Sequence, residues 1–261
     1  MQWVGIGSPG TINQDTGVLE YANNLYFKNL PLKALMQERL QGKDIYIEND
    51  ANAAAYGEYI AGALEGAKVA LAITLGTGVG GGVIIDGKVF AGSNYAGAEL
   101  GHSVIVVNGK PCTCGRNGCW ESYASATGLI NITKDHLGEA EPGSPILKIM
   151  EEKDGKISGR TSFDAMRAGD PVGKKIVDEY IMYLSEGLAN MVNIFQPDIL
   201  CVGGGICNEG ETLLAPVREY VDKVQYASDS EKKPVICKAE LGNDAGIIGA
   251  AMLGMQFKKG E

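Results

Sequence analysis

Several apolar runs in this chain end in a cluster of glycines, and that repetition limits the fold more than any other feature. The clusters sit in WVGIGSPG (3–10), VALAITLGTGVGGG (69–82), ILCVGGGI (199–206) and LGNDAGIIGAA (241–251), the last close behind VICKA (235–239). The 37 glycines follow no collagen period and form no low-complexity tract, so they read as tight loops at strand ends. Helical patterns fill the intervals. LPLKALMQERL spaces Leu32, Leu35, Met36 and Leu40 as a helix after Pro31. IYIEND (45–50) is a strand that runs straight into ANAAAYGEYIAGAL. GVIIDGKVF (82–90) is a hairpin turning on Asp86-Gly87. Asp170 caps and Pro171 opens a long helix striped with Val172, Ile176, Val177, Tyr180, Leu184, Leu188, Met191 and Phe195. A helix near 212–225, a strand at 235–239 and a helix from about Asp244 complete the pattern, while 92–160 reads as loop-rich. Such alternation predicts an α/β fold, whose ligands bind outside the strand ends.

Charge narrows the partners. The net charge is −9 and the pI near 4.9, so no basic excess exists to neutralise nucleic acid or an anionic membrane. No apolar run is long enough to span a bilayer, and MQWVGIGSPG lacks the charged start of a signal peptide. The expected setting is therefore cytoplasmic, where six cysteines point to metal or free thiols rather than disulfides.

Chemistry concentrates at three places. Cys112, Cys114 and Cys119 form C-x-C-x₄-C, three soft ligands that lack one corner of a tetrahedron. His102 lies ten residues upstream, and a short strand pair would bring it back; the alternative is three free thiols. Asp50 stands where a strand meets a helix, able to accept a proton from a hydroxyl while Asn49 holds another, although plain helix capping explains both equally. LGTGVGGG (75–82) can expose backbone N–H groups to a phosphate, or serve only as a tight turn. Glu99 and Glu121 flank His102 and Cys119. They read as acceptors for sugar hydroxyls carried on a metal clamp, or as solvated surface acids.

Together these stretches resemble the ROK family of sugar kinases and sugar-responsive repressors. GIGSPGTIN resembles its sugar-side loop, ENDANAAAYGE its catalytic segment, and LGTGVGGGVIIDGKVFAG its second phosphate hairpin. GAELGHSVIVVNGKPCTCGRNGCWE matches the ExxH and CxCGxxGCxE signatures, and ILCVGGGI with LGNDAGIIGAA resembles the adenosine side. The resemblance implies an actin-like ATPase (ribonuclease H-like) fold of two lobes, divided here as 1–66 and 67–261. It further implies ATP-dependent phosphorylation of a hexose, glucose first, with Mg²⁺ and a structural Zn²⁺, in a homodimer. Asp50 would be the general base, with Asn49, Glu99, His102 and Glu121 on the sugar. Gly76, Thr77 and Gly78 would lie on the nucleotide phosphates, Gly204 and Gly205 near the adenosine. His102, Cys112, Cys114 and Cys119 would hold zinc. Cys201, Cys207 and Cys237 read as buried thiols without a role.

One departure stands out. Family kinases open on an Asp-x-Gly-Gly-Thr phosphate loop, and these 261 residues contain none. The expectation is an incomplete N-terminal lobe with unpaired sheet edges, a retained sugar pocket and zinc site, and impaired transfer. N-acetylmannosamine or allose phosphorylation remains open, as does a sugar-binding member without catalysis. A fructose kinase fits poorly, because fructokinases of the family usually carry a histidine-containing version of the metal loop. A repressor fits poorly too, since no helix-turn-helix is visible.

Overall fold

The computed structural model describes residues 3–22 and 25–258. Two strands, β1 (Trp3–Ser8) and β5 (Asp44–Asn49), run parallel from the Trp3–Asp44 pair to the Ser8–Asn49 pair. Among the described residues β1 has no second strand partner. Between them the chain makes an antiparallel meander of β2 (Thr11–Asn13), β3 (Val18–Ala22) and β4 (Phe27–Leu30), then helix α1 (Leu32–Arg39). Ile12, Leu19, Ala22, Ile45 and Ile47 bury together in this part. Sequence patterning does not announce the meander. β2 is too short to show alternation, and β4 leaves Phe27, Lys28 and Asn29 exposed.

The larger sheet has the order β10-β9-β6-β7-β8. Its centre, β6 (Val69–Leu75), runs parallel to β9 (Ile199–Gly203), which in turn pairs with β10 (Val235–Lys238). β7 (Val79–Ile85) returns antiparallel along the whole length of β6. It turns into β8 (Lys88–Val89) through Asp86 and Gly87, both at positive φ, as a type I′ turn requires.

The two-residue period of β6 divides the core. Leu71, Ile73 and Leu75 face a large cluster that includes α7 (Pro171–Phe195), whereas Ala70 and Ala72 face α2 (Asp50–Ala61) and α9 (Ala245–Lys258). Alanines on that face let α2 lie close to the strand. α2 and α9 also touch backbone to backbone, for a Cβ on Gly249 would stand 1.7 Å from the Ala53 carbonyl oxygen. Asp170 caps α7 as expected, accepting from Val172 N at 2.8 Å and Gly173 N at 2.9 Å behind Pro171. Against α7 lies Trp120, wholly buried, its indole donating to the Tyr183 carbonyl at 3.0 Å.

The stretch 92–160 is less loop-rich than its sequence suggests. It holds α3 (Glu121–Ala124), α4 (Ala126–His136) and α5 (Pro145–Glu151), followed by α6 (Thr161–Arg167) and, after α7, by α8 (Glu211–Val224). α4 contains Gly, Thr and Asn, weak helix formers that hide it from propensity. Packing decides it instead: Leu129 and Ile132 are fully buried, and Ser125 caps the helix through Gly128 N at 3.0 Å.

Candidate active site

Asn49, not Asp50, caps α2. Its side-chain oxygen accepts from Ala51 N at 2.9 Å and Asn52 N at 3.2 Å, and its amide donates to the Gly10 carbonyl at 3.2 Å. Asp50 occupies the first helical position, exposed, with one oxygen near its neighbour Ala51 N. The competing explanation for Asp50, a plain cap, is thus taken up by the residue before it. Below the pair lies Glu48, 2% exposed, which accepts from Asn49 N at 2.9 Å, from the Asn52 amide at 3.1 Å and from Gln14. Burial pushes the Glu48 carboxyl up, and these three donors oppose the shift.

Opposite Asp50, the turn between β6 and β7 is Gly76-Thr77-Gly78. Two of its carbonyls are taken up from α4, with Ala126 N on Gly76 O and the Thr127 hydroxyl on Thr77 O, both at 2.8 Å, and the third, Gly78 O, accepts from Gly76 N at 3.0 Å. Among the described residues the Thr77 and Gly78 amides have no protein acceptor. Glu121, the first residue of α3, accepts from Val79 N at 3.0 Å just past the turn.

The cysteine loop comes next. Two isolated bridges, Val104–Cys119 and Pro111–Asn117, fold it back, in place of the expected strand pair. Turns around Gly109, Gly115 and Gly118 leave too few successive residues for a ladder. The result brings ligand atoms of His102, Cys112, Cys114 and Cys119 within 4.8 Å of one another. His102 Nδ1 is 3.5 Å from Cys112 Sγ, and Cys114 Sγ is 3.6 Å from Cys119 Sγ. A tetrahedral ion with bonds of about 2.3 Å to sulfur and about 2.0 Å to nitrogen sets sulfur–sulfur edges near 3.8 Å and sulfur–nitrogen edges near 3.5 Å. The donor set fits that ion in kind and in spacing. Electrostatics agree. Burial raises Cys112, yet hydrogen bonds with the amide and thiol of Cys114, with Cys119 and with His102 together outweigh it and bring it down to about 7. Cys119 goes up to about 12, through burial and the sulfurs beside it.

Asn49, Asp50, Gly76, Gly78, Glu99, His102 and Glu121 all line one cavity of about 540 Å³. Thr77 opens instead onto the neighbouring recess beside Thr127, and Gly204 onto a small hollow behind α2. Gly205 starts a 3₁₀ turn, Gly205–Glu209, and borders none of these spaces. Cys201 and Cys207 are buried and Cys237 is half-buried. Sequence reasoning passed over Glu48 and Tyr95. Tyr95 lines the cavity at positive φ, and its hydroxyl meets Asp15 of the β2–β3 turn, which raises the phenol. A glutamate at a buried strand position was the available signal for Glu48; Tyr95 had none.

The family model for ROK proteins matches residues 1–256. The chain belongs to the ROK family. It is 38% identical over 253 residues to a glucokinase of Halalkalibacterium halodurans, covering 96% of this chain and 75% of that one. A xylose repressor of Caldicellulosiruptor bescii is 32% identical over 223 residues, covering 85% of this chain and 55% of the repressor. Among solved structures, a ROK glucokinase from Streptomyces griseus in complex with glucose and AMPPNP superposes with a TM-score of 0.81 at 36% identity, across 97% of this chain and 81% of that one. The α/β fold of this ROK protein is accordingly the actin-like ATPase fold.

Proposed function

We propose that this ROK protein transfers the γ-phosphoryl group of ATP to a hydroxyl of a hexose, with glucose as the first candidate. One observation carries the reading: an exposed carboxylate, Asp50, shares a cavity with Gly76 and Gly78 of the turn and with Glu99, His102 and Glu121. Directional acceptors suit sugar hydroxyls, and amide-bearing turns suit phosphate. Phosphoryl transfer mainly needs those two groups held in line, together with charge neutralisation. Asp50 would take the proton from the attacking hydroxyl as the bond to phosphorus forms and the bond to ADP breaks. The Thr77 and Gly78 amides would meet the transferring phosphate. Glu48 would keep the Asn49–Asp50 corner in place through its contacts to Asn49 and Asn52.

Mg²⁺ entering with ATP would neutralise charge between the phosphates. Zinc would be held by His102, Cys112, Cys114 and Cys119, fixing the loop that carries Glu121 and leaving the second edge of the His102 ring for the sugar. Glucose is favoured by the glucokinase relatives, at 38% and 36% identity. A coupled assay with glucose and ATP tests the proposal. Asp50→Asn is expected to lose about three or more orders of magnitude in kcat while keeping sugar affinity. Sugar binding without any turnover by the unaltered chain would overturn the kinase reading in favour of a sugar-responsive role.

A further inference from the structure

Glu58 is a buried acid outside the cavity, and nothing in the reaction uses it. It lies on α2 eight residues after Asp50, about 12 Å along the same helix. Its side chain is buried, at 2% exposure, and no cation pairs with it among the described residues. Three backbone amides hold it instead. Ala63 N donates to Oε2 at 3.0 Å, Glu240 N donates to Oε2 at 3.1 Å, and Leu241 N donates to Oε1 at 2.8 Å. Ala63 lies in the turn just after α2, past the Gly62 C-cap. Glu240 and Leu241 are some 180 residues away, in the link from β10 to α9.

That link begins where the large sheet ends. Ala239 N bonds to the Val202 carbonyl on β9, so the segment just after β10 is fixed to the strand that leads into Gly204. Glu58, Gly204, Thr74, Ala239 and Gly242 then enclose a hollow of about 60 Å³. A carboxylate accepting from three amides forms strong charge-assisted bonds, and burial keeps water from replacing them. α2 therefore bears the proposed base at one end and grips the 239–242 segment near the other.

We propose that Glu58 is a positioning residue that sets the Ala239–Gly242 segment, which the family resemblance puts with Gly204 beside the adenosine, relative to the helix carrying Asp50. This rests on the kinase reading above. Glu58→Gln keeps the shape but turns an amide donor toward backbone donors, which loosens the grip at Glu240 and Leu241. Sugar contacts do not pass through Glu58, so its loss should separate the two ligands. The expected result is a roughly tenfold weaker ATP affinity by calorimetry, with glucose affinity within about twofold of the parent. Hydrogen exchange should speed up at the Glu240 and Leu241 amides, and Glu58→Asp, which retains the charge, should recover part of the ATP affinity. A simple loss of stability would weaken both ligands together, and that outcome overturns the proposal. So does faster exchange at 240 and 241 with ATP affinity unchanged. Should Glu58→Gln fail to fold, Glu58→Asp alone decides, since a shortened carboxylate must still weaken ATP selectively. A parent chain that binds glucose but no ATP would defeat the kinase reading itself, and is distinguished because it is seen before any substitution is made.

Discussion

Glu121 accepts the Val79 amide at 3.0 Å, so the acid that follows the cysteine loop also holds the end of the glycine turn. Cysteine loop and glycine turn are thereby one mechanical unit. A Cβ on Gly78 would stand 2.3 Å from Glu121 Oε2, an overlap that only movement of the carboxylate or the turn can relieve. Gly78→Ala is expected to lower kcat/KM for the hexose by about a hundredfold, since displacements of this kind spoil in-line geometry. Circular dichroism should show an unchanged fold. Full activity in this variant would break the link between turn and clamp.

Cys114→Ser removes one of four ligands from a site whose spacing suits a tetrahedral ion. Zinc content by atomic emission should fall from about one per chain to near zero, and glucose should bind about tenfold or more weakly. Loss of zinc with intact sugar binding would show that the clamp does not orient Glu99, His102 or Glu121.

Gly187→Ala tests the core against α7. The added methyl would stand 2.0 Å from Trp120 Cε2, inside a fully buried indole. Overpacking of this kind costs about 1–3 kcal/mol, or roughly 3–10 °C in Tm for a chain of this size. Calorimetry that finds an unchanged Tm would mean Trp120 moves freely, contrary to its bond with Tyr183.

His136 lies between two carboxylates, with Nδ1 2.8 Å from Glu139 and Nε2 2.7 Å from Glu179. Both nitrogens face acceptors, so the charged imidazolium fits best; first Glu139 and then Glu179 raises its pKa above 6.5. The sign follows. A raised folded pKa contributes stability that is complete below about 6.5 and is lost as pH rises through the folded value. As pH rises above about 6.5, the Tm of the parent should therefore decline more than that of His136→Gln. Titration of the His136 ring protons by NMR reads the same shift directly; a midpoint at or below 6.5 would contradict it.

Asp198 gives the opposite dependence. Lys232, with the Val69 and Lys68 amides, brings its carboxyl down to about 2. Its contribution is present above the ordinary carboxylate pKa near 3.8 and is lost as pH falls toward 2. Asp198→Asn should flatten the acid limb of a Tm–pH profile without altering the alkaline one.

Much of this was legible in the residues. Period and punctuation marked β5, α2, β6, α7, β9 and α9, because each carries its own cap, turn or apolar stripe in a continuous stretch. Asp170-Pro171 is the plainest case, since a cap and a first-turn proline act within three residues. The C-x-C-x₄-C spacing likewise selected soft-metal chemistry, because ligand type and loop length are local properties. α4 and the β2–β4 meander were not legible, for their stability comes from burial against distant partners. Nor was the division of labour between Asn49 and Asp50, since either residue type can cap and only backbone angles choose. Glu58 looked like one more charge on a helix; its importance depends on amides some 180 residues away. The sequence by itself thus determined which elements form and which chemistries are available. Tertiary structure alone decided which of those groups face one another, because a contact across the fold depends on packing that no single stretch encodes.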